Sequence, residues 1–357
     1  MVINMTNKNI YNLFLFLSTL TRNLIEVFSV ILLYNKGYNL NNILIFLLVT
    51  YISGIIVNYI SLKSNYKIVL ILSFLLYGIS YLYLTLMKTN FYNLILFAIL
   101  LSISSNSYHA IRHYLAMSLV SYNKGKNINI ILMMLYISTI ISNILGIILI
   151  KKIPIITSSI IIIVLSILSI FPILKFSNIP KQKINYKNID INKKKIIYSI
   201  LEQFKVILVE LQPLYIYLYI KTSITYVGIF NIIINIASLI VMLIISNRIN
   251  NKYFKYINLL LGFILLIKLN LNKPLVLLLV ALGEGIGMKL YEKNSLDNLY
   301  NIKNKNITSY LIIEELIFFI TKSILMLIFI IIIRKLRIIL YICIIGLIAS
   351  DFFLESE

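Results

Sequence analysis

No charged residue interrupts "IPIITSSIIIIVLSILSIF", residues 153–171, and apolar runs of this kind recur along the whole chain. That recurrence is the strongest constraint on the fold. A helix needs roughly 20 mainly apolar residues to cross a bilayer, and inside the bilayer every backbone group must find its partner within the chain. Twelve spans can be placed, at residues 11–34, 42–61, 68–87, 94–118, 128–150, 153–171, 196–220, 226–245, 257–269, 274–290, 308–333 and 338–350. The ninth is short and the last modest, so eleven is the alternative count. The runs lack the alternation of a membrane β-barrel, which leaves helices. The expected fold class is all-α, a polytopic membrane protein of about twelve transmembrane helices. Composition agrees: with 60% hydrophobic and 13% charged residues, 357 residues have too little polar surface for a soluble globule.

The polar links between spans are short, with one exception. "KFSNIPKQKINYKNIDINKKK", residues 175–195, is long and basic and divides the spans six and six. The expected organisation is an N-terminal six-helix bundle over residues 1–172, a basic cytoplasmic linker over 173–195 and a C-terminal six-helix bundle over 196–357. Lys and Arg in short loops mark the cytoplasmic side, and the face holding the N-terminus and the linker carries about twice the loop charge of the other. Both termini are therefore expected in the cytoplasm. The first apolar run is too long for the core of a cleaved signal and carries Arg22 and Glu26, so it reads as the first span. The expected location is the plasma (inner) membrane.

A net charge of +21 would suggest nucleic acid in a soluble protein. Here the lysines sit in loops between spans, where they set topology and attract anionic head groups. Residues 175–195 offer only Phe176 and Tyr186 for base stacking, so no nucleic-acid partner is expected. The single Cys343 forms no internal disulfide. His109 and His113 stand four residues apart, but no HExxH motif and no further His or Cys completes a site, so no metal or other cofactor is expected. A membrane enzyme acting on lipid-linked sugars would carry its catalytic residues on a large outer loop, and the outer loops here are all short. The chain is not expected to be an enzyme. A lipid-linked oligosaccharide flippase of another fold stays open as the alternative.

The informative signal is where charges lie inside the spans. A charge at a helix centre costs about 2.5–3.5 kcal/mol on insertion scales, so one kept there faces a cavity or a partner. Arg22 and Glu26 lie in the first span, Arg112 in the fourth, Glu202, Lys205 and Glu210 in the seventh, and Glu284 in the tenth. Glu314, Glu315 and Lys322 lie in the eleventh. One helix in three holds most of the charge, repeated across both halves. That is the pattern of two related six-helix bundles around a central path, with the first helix of each three-helix unit lining it and the third facing lipid. The expected substrate contacts are Arg22, Glu26, Arg112, Lys205 and Glu210, the planar fork of Arg112 suiting a carboxylate or phosphate. Glu26 with Arg22 and Glu210 with Lys205 also read as helix-local pairs that lower insertion cost.

In "VALGEGIGMKLYEK", residues 280–293, Glu284 sits among three glycines near the middle of the tenth span. A nucleotide loop would need a preceding strand, so Gly283 and Gly287 read as a small-residue packing face. Glu284 has no cation within a turn before it, and Lys289 lies closer to the inner interface. A carboxylate at that depth can take a proton from one side and release it to the other. Glu284, then Glu210 and Glu26, are the expected proton-coupling residues.

After the second span comes "GIIVNYISLKSNYK", with Gly54, Asn58, Lys63 and Lys67. After the fourth come Arg112 and "NKGK", residues 123–126. With the six-plus-six layout and basic central linker, these residues resemble the major facilitator superfamily of secondary transporters over the whole chain. The family carries an Asp where Asn58 stands, and its Pro-and-Gly-rich fifth-helix motif is matched here only by Gly146. The resemblance implies alternating access about a central site, with Gly54, Asn58, Lys63 and Lys67 as conformational-gating residues. It implies a small-molecule substrate and a monomer in a lipid bilayer, and the carboxylates at membrane depth make protons the expected coupling ion.

Overall fold

A computed structural model describes residues 7–119, 124–176, 193–245, 257–271, 273–300, 307–333, 335–350 and 352. Residues 177–192 of the expected linker lie outside the described residues, as do 247–255, "NRINNKYFK", a basic turn after the eighth span that echoes the one after the second. The helices are α1 (Asn7–Glu26), α2 (Ser29–Asn35), α3 (Leu40–Lys63), α4 (Tyr66–Leu86), α5 (Phe91–Leu119), α6 (Lys124–Lys152) and α7 (Ile155–Leu174) in the first half. The second half has α8 (Lys193–Tyr219), α9 (Ile224–Ile245), α10 (Ile257–Asn270), α11 (Pro274–Tyr300), α12 (Ile307–Ile328) and α13 (Leu336–Ser350). Each falls on a predicted span, with α1 and α2 sharing the first. Among the described residues nine helical spans are long and apolar enough to cross a membrane, while α10 and α13 are shorter.

The boundaries follow from local chemistry. Asn39 and Asn65 are N-caps: each side-chain oxygen accepts a backbone N–H, from Asn42 at 2.9 Å and from Lys67 at 3.0 Å. Pro154 precedes α7 and Pro274 opens α11, where a missing N–H does no harm. The first span is broken at Val27–Phe28, just past Glu26. Beyond α12, the backbone continues as a π turn over Phe329–Ile333.

Two six-helix bundles result, and their pairings repeat. In the first, α1 packs on α6 and α7, α5 on α3 and α4, and α4 on α7. In the second, α8 packs on α12 and α13, α11 on α9 and α10, and α10 on α13. The bundles meet where α6 crosses α9, where α3 crosses α12 and where α2 touches α8. On α7, Ile156, Ile160, Val164, Ile167 and Phe171 form an exposed stripe at helical spacing, the face a lipid-contacting helix presents.

Candidate functional site

A cavity of about 320 Å³ lies between the bundles. Its lining comes from α1 (Arg22, Asn23, Glu26), α5 (Tyr108, His109, Arg112), α6 (Leu132, Leu135, Tyr136), α8 (Lys205), α9 (Asn235) and α11 (Tyr291, Glu292), and it extends to Tyr11 near the start of α1. It therefore approaches the face from which α1 enters, here called the linker face. The opposite face is closed. Phe28, fully buried at the break in the first span, packs against Gly146 of α6 and Gly228 of α9, one from each bundle. Farther out, the Tyr217 hydroxyl donates to Asn35 Oδ1 at 2.9 Å.

Arg22 is the most elaborately held cation. Four residues before Glu26, it shares a helical face with it, and its Nη2 donates to Glu26 Oε1 at 2.8 Å. Nη1 donates to the Ser104 carbonyl at 3.0 Å, and the guanidinium lies 5.0 Å from the Tyr77 ring centre and 4.5 Å from that of Tyr108. Such pairing makes a buried charge tolerable. Glu26 Oε1 also accepts from Ser105 Oγ at 2.8 Å, while about a quarter of its side chain stays exposed. Arg112 reaches back one turn, 5.7 Å from the Tyr108 centre, with Nη2 3.3 Å from His113 Nε2. From the other bundle, Lys205 Nζ lies 3.8 Å from the Tyr291 centre, and Glu292 Oε2 accepts from the Tyr136 hydroxyl of α6 at 2.5 Å. Arg22, Glu26, Arg112 and Lys205 thus share one cavity.

Two of the expected residues lie elsewhere. Glu284 does not line the cavity: Lys268 Nζ of α10 sits 2.8 Å from its Oε2, with both side chains buried. The reason is helical phase. Eight residues of helix turn about 80° beyond two whole rotations, so the face that brings Glu292 to the cavity aims Glu284 into its own bundle. Gly283 and Gly287 abut Ile264 and Leu261 of α10, and a Cβ on Gly285 would lie 2.3 Å from the Ile234 carbonyl oxygen of α9. The three glycines serve helix packing.

Glu210 lies at the junction of the bundles rather than in the cavity. Tyr51 of α3 donates to it, and Lys322 of α12 sits 4.8 Å from the Tyr51 ring centre and 4.2 Å from that of Phe319. Two further contacts extend this seam. A Cβ on Gly54 would lie 2.5 Å from the Phe319 ring, and Asn58 Nδ2 donates to Glu315 Oε2 at 3.0 Å. The pairs Tyr51 with Lys322, Gly54 with Phe319 and Asn58 with Glu315 step in opposite directions along antiparallel helices, in one register. The register explains the departure from the family at Asn58. An Asp there would face the Glu315 carboxylate, whereas Asn supplies a donor. Lys63 lies over the Tyr59 ring, and Lys67 donates its backbone N–H in the α4 cap.

Sequence reasoning missed the aromatic lining. Tyr11, Tyr108, Tyr136 and Tyr291 are four of 26 tyrosines, and nothing local sets them apart. Glu292 was legible as the next acid on the helix of Glu284, but its position past the predicted span end hid it. Among the described residues no group of three His, Cys, Asp or Glu side chains could hold a metal ion.

Paired six-helix bundles enclosing a polar cavity closed at one end define a membrane transport protein. The family model described as Major Facilitator Superfamily matches residues 3–291, and the chain belongs to that superfamily. It is accordingly a secondary transporter and not an enzyme. Among solved structures it is similar to a bacterial homologue of the iron transporter ferroportin in outward-facing state, at 13% identity, TM-score 0.69 and 98% coverage of both chains. A comparison with curated proteins finds no match.

Proposed function

We propose that this protein carries a small polar or charged solute by alternating access, as a proton-coupled symporter. Residues 1–172 and 196–357 act as the two moving bundles, and both termini and the 173–195 linker face the cytoplasm across a plasma (inner) membrane. The working unit is a monomer. The reading rests on one observation above all, the Arg22–Glu26 pair on the cavity wall. A carboxylate that shares an arginine and remains partly exposed can exchange that partner for a proton as access alternates. Glu26 is therefore the first coupling residue. Glu210, held across the bundle junction by Tyr51, is second. Glu284 keeps a structural role with Lys268.

The iron named for the ferroportin homologue is not the favoured cargo here. Arg22, Arg112 and Lys205 against Glu26 and Glu292 leave the cavity wall a net positive formal charge, which repels a divalent cation. The test is uptake of a labelled solute panel by proteoliposomes under an imposed pH gradient. Wild type should accumulate its solute with the gradient, and Glu26→Gln should transport without accumulating. Accumulation indifferent to the gradient in wild type refutes coupling, and unchanged coupling in Glu26→Gln moves it to Glu210.

A further inference from the structure

We infer that the cavity takes an organic anion, a carboxylate or phosphate on a compact apolar body, with Arg22 and Arg112 holding the anionic group and Lys205 reaching it from the other bundle. The inference rests on the transporter reading above and names the substrate class of the same site.

Four observations carry it. The two arginines line the same cavity, and both guanidinium groups lie against the ring of Tyr108, at 4.5 Å and 5.7 Å from its centre. Arg22 lines the cavity, and its Nε, buried against protein, has no hydrogen-bond partner, so Ser104 and Glu26 leave the guanidinium incompletely satisfied. Both cavity carboxylates are engaged: Glu26 Oε1 accepts from Arg22 and Ser105, and Glu292 Oε2 accepts from Tyr136. One stretch of the wall is apolar, built by Ile131, Leu132 and Leu135 of α6, beside the polar Asn23, His109, Thr139 and Asn235.

These features divide the labour of recognition. A guanidinium fork pairs with two oxygens of a carboxylate or phosphate, and the low dielectric of a site between bundles strengthens the pairing. The α6 wall favours a hydrocarbon body over a free inorganic ion. Arg22 and Arg112 belong to the first bundle and Lys205 to the second, so one bound anion ties the two together. Its binding energy then favours the conformation in which both sets of cations reach it.

The experiment uses the full-length protein in detergent, with thermal stability followed through exposure of its buried Cys343 thiol. Four probes share a phenyl body: benzoate, phenyl phosphate, benzamide and benzylamine. Manganese is the metal control. Benzoate or phenyl phosphate should raise the melting temperature in a concentration-dependent way, and which one does so separates carboxylate from phosphate. Benzamide, benzylamine and manganese should not. Arg112→Gln should weaken the anion's apparent affinity roughly 10- to 100-fold, and Lys205→Gln should weaken it as well. Arg112→Lys, which keeps the charge without the fork, should fall between and guards against misfolding of the Gln variant. Protection by benzylamine or manganese in place of the anions overturns the inference, as does protection by no anion, or equal protection of wild type and both Gln variants. A cation or neutral solute carried by proteoliposomes with Arg112→Gln unimpaired would sink the anion class and leave the transporter reading standing.

Discussion

Asn58→Asp isolates the bundle junction. Asn58 Nδ2 donates to Glu315 Oε2 at 3.0 Å, and both side chains are buried. The substitution keeps the shape, removes the donor and sets two carboxylates against each other. Two like charges about 4 Å apart at an effective dielectric of 20 repel by about 4 kcal/mol, and protonation of one of them limits the penalty. A loss of about 2–4 kcal/mol at neutral pH is expected, shrinking as pH falls because a proton on either carboxyl restores a donor. Glu315→Gln in the Asn58→Asp background should recover most of it, since the Gln amide donates to the carboxylate introduced on α3. The chain has no tryptophan but one cysteine, Cys343, fully buried in α13, so a thiol-reactive dye reports unfolding without further labelling. If Asn58→Asp is as stable as wild type at neutral pH, or if Glu315→Gln deepens the loss, the α3–α12 register is wrong.

Two further outcomes follow from the packing. Lys268→Ala strands Glu284 without its partner inside the second bundle and should destabilise by about 3–5 kcal/mol, whereas Lys268→Met with Glu284→Leu should restore most of the loss in the same melting assay. Gly285→Val places a branched side chain where even a Cβ would lie 2.3 Å from the Ile234 carbonyl. A loss of about 1–3 kcal/mol or failure to fold is expected, with Gly283→Ala much milder against the flexible Ile264 side chain.

The spans were legible because apolar run length is a one-dimensional signal that bilayer thickness reads directly. Each predicted run became a helix, within a few residues at most ends. The break after Glu26 was not legible, since "EVFSV" holds no Pro or Gly and is broken by its packing against Gly146 and Gly228 of other helices. The charges were found, but not their facing. Arg22 and Glu26 pair within one helix, so spacing alone foretold their contact. Glu284 pairs with Lys268, sixteen residues earlier on another helix, and only the packed bundle sets the phase that turns it from the cavity. Asn58 looked like a degraded motif position until Glu315 supplied its partner. The contact spans 257 positions of sequence, beyond any local pattern.

The most direct test of alternating access is a pair of interbundle distances, measured by spin labels in a Cys343→Ser background. Tyr92 on α5 and Leu275 on α11 are exposed at the closed face, and Lys63 on α3 and Leu260 on α10 are exposed at the linker face. Conditions which populate the second state should lengthen the Tyr92–Leu275 distance and shorten the Lys63–Leu260 distance, the two changing together in opposite senses. If both distances grow together, or if one end opens while the other stays fixed, the bundles do not rock about the cavity.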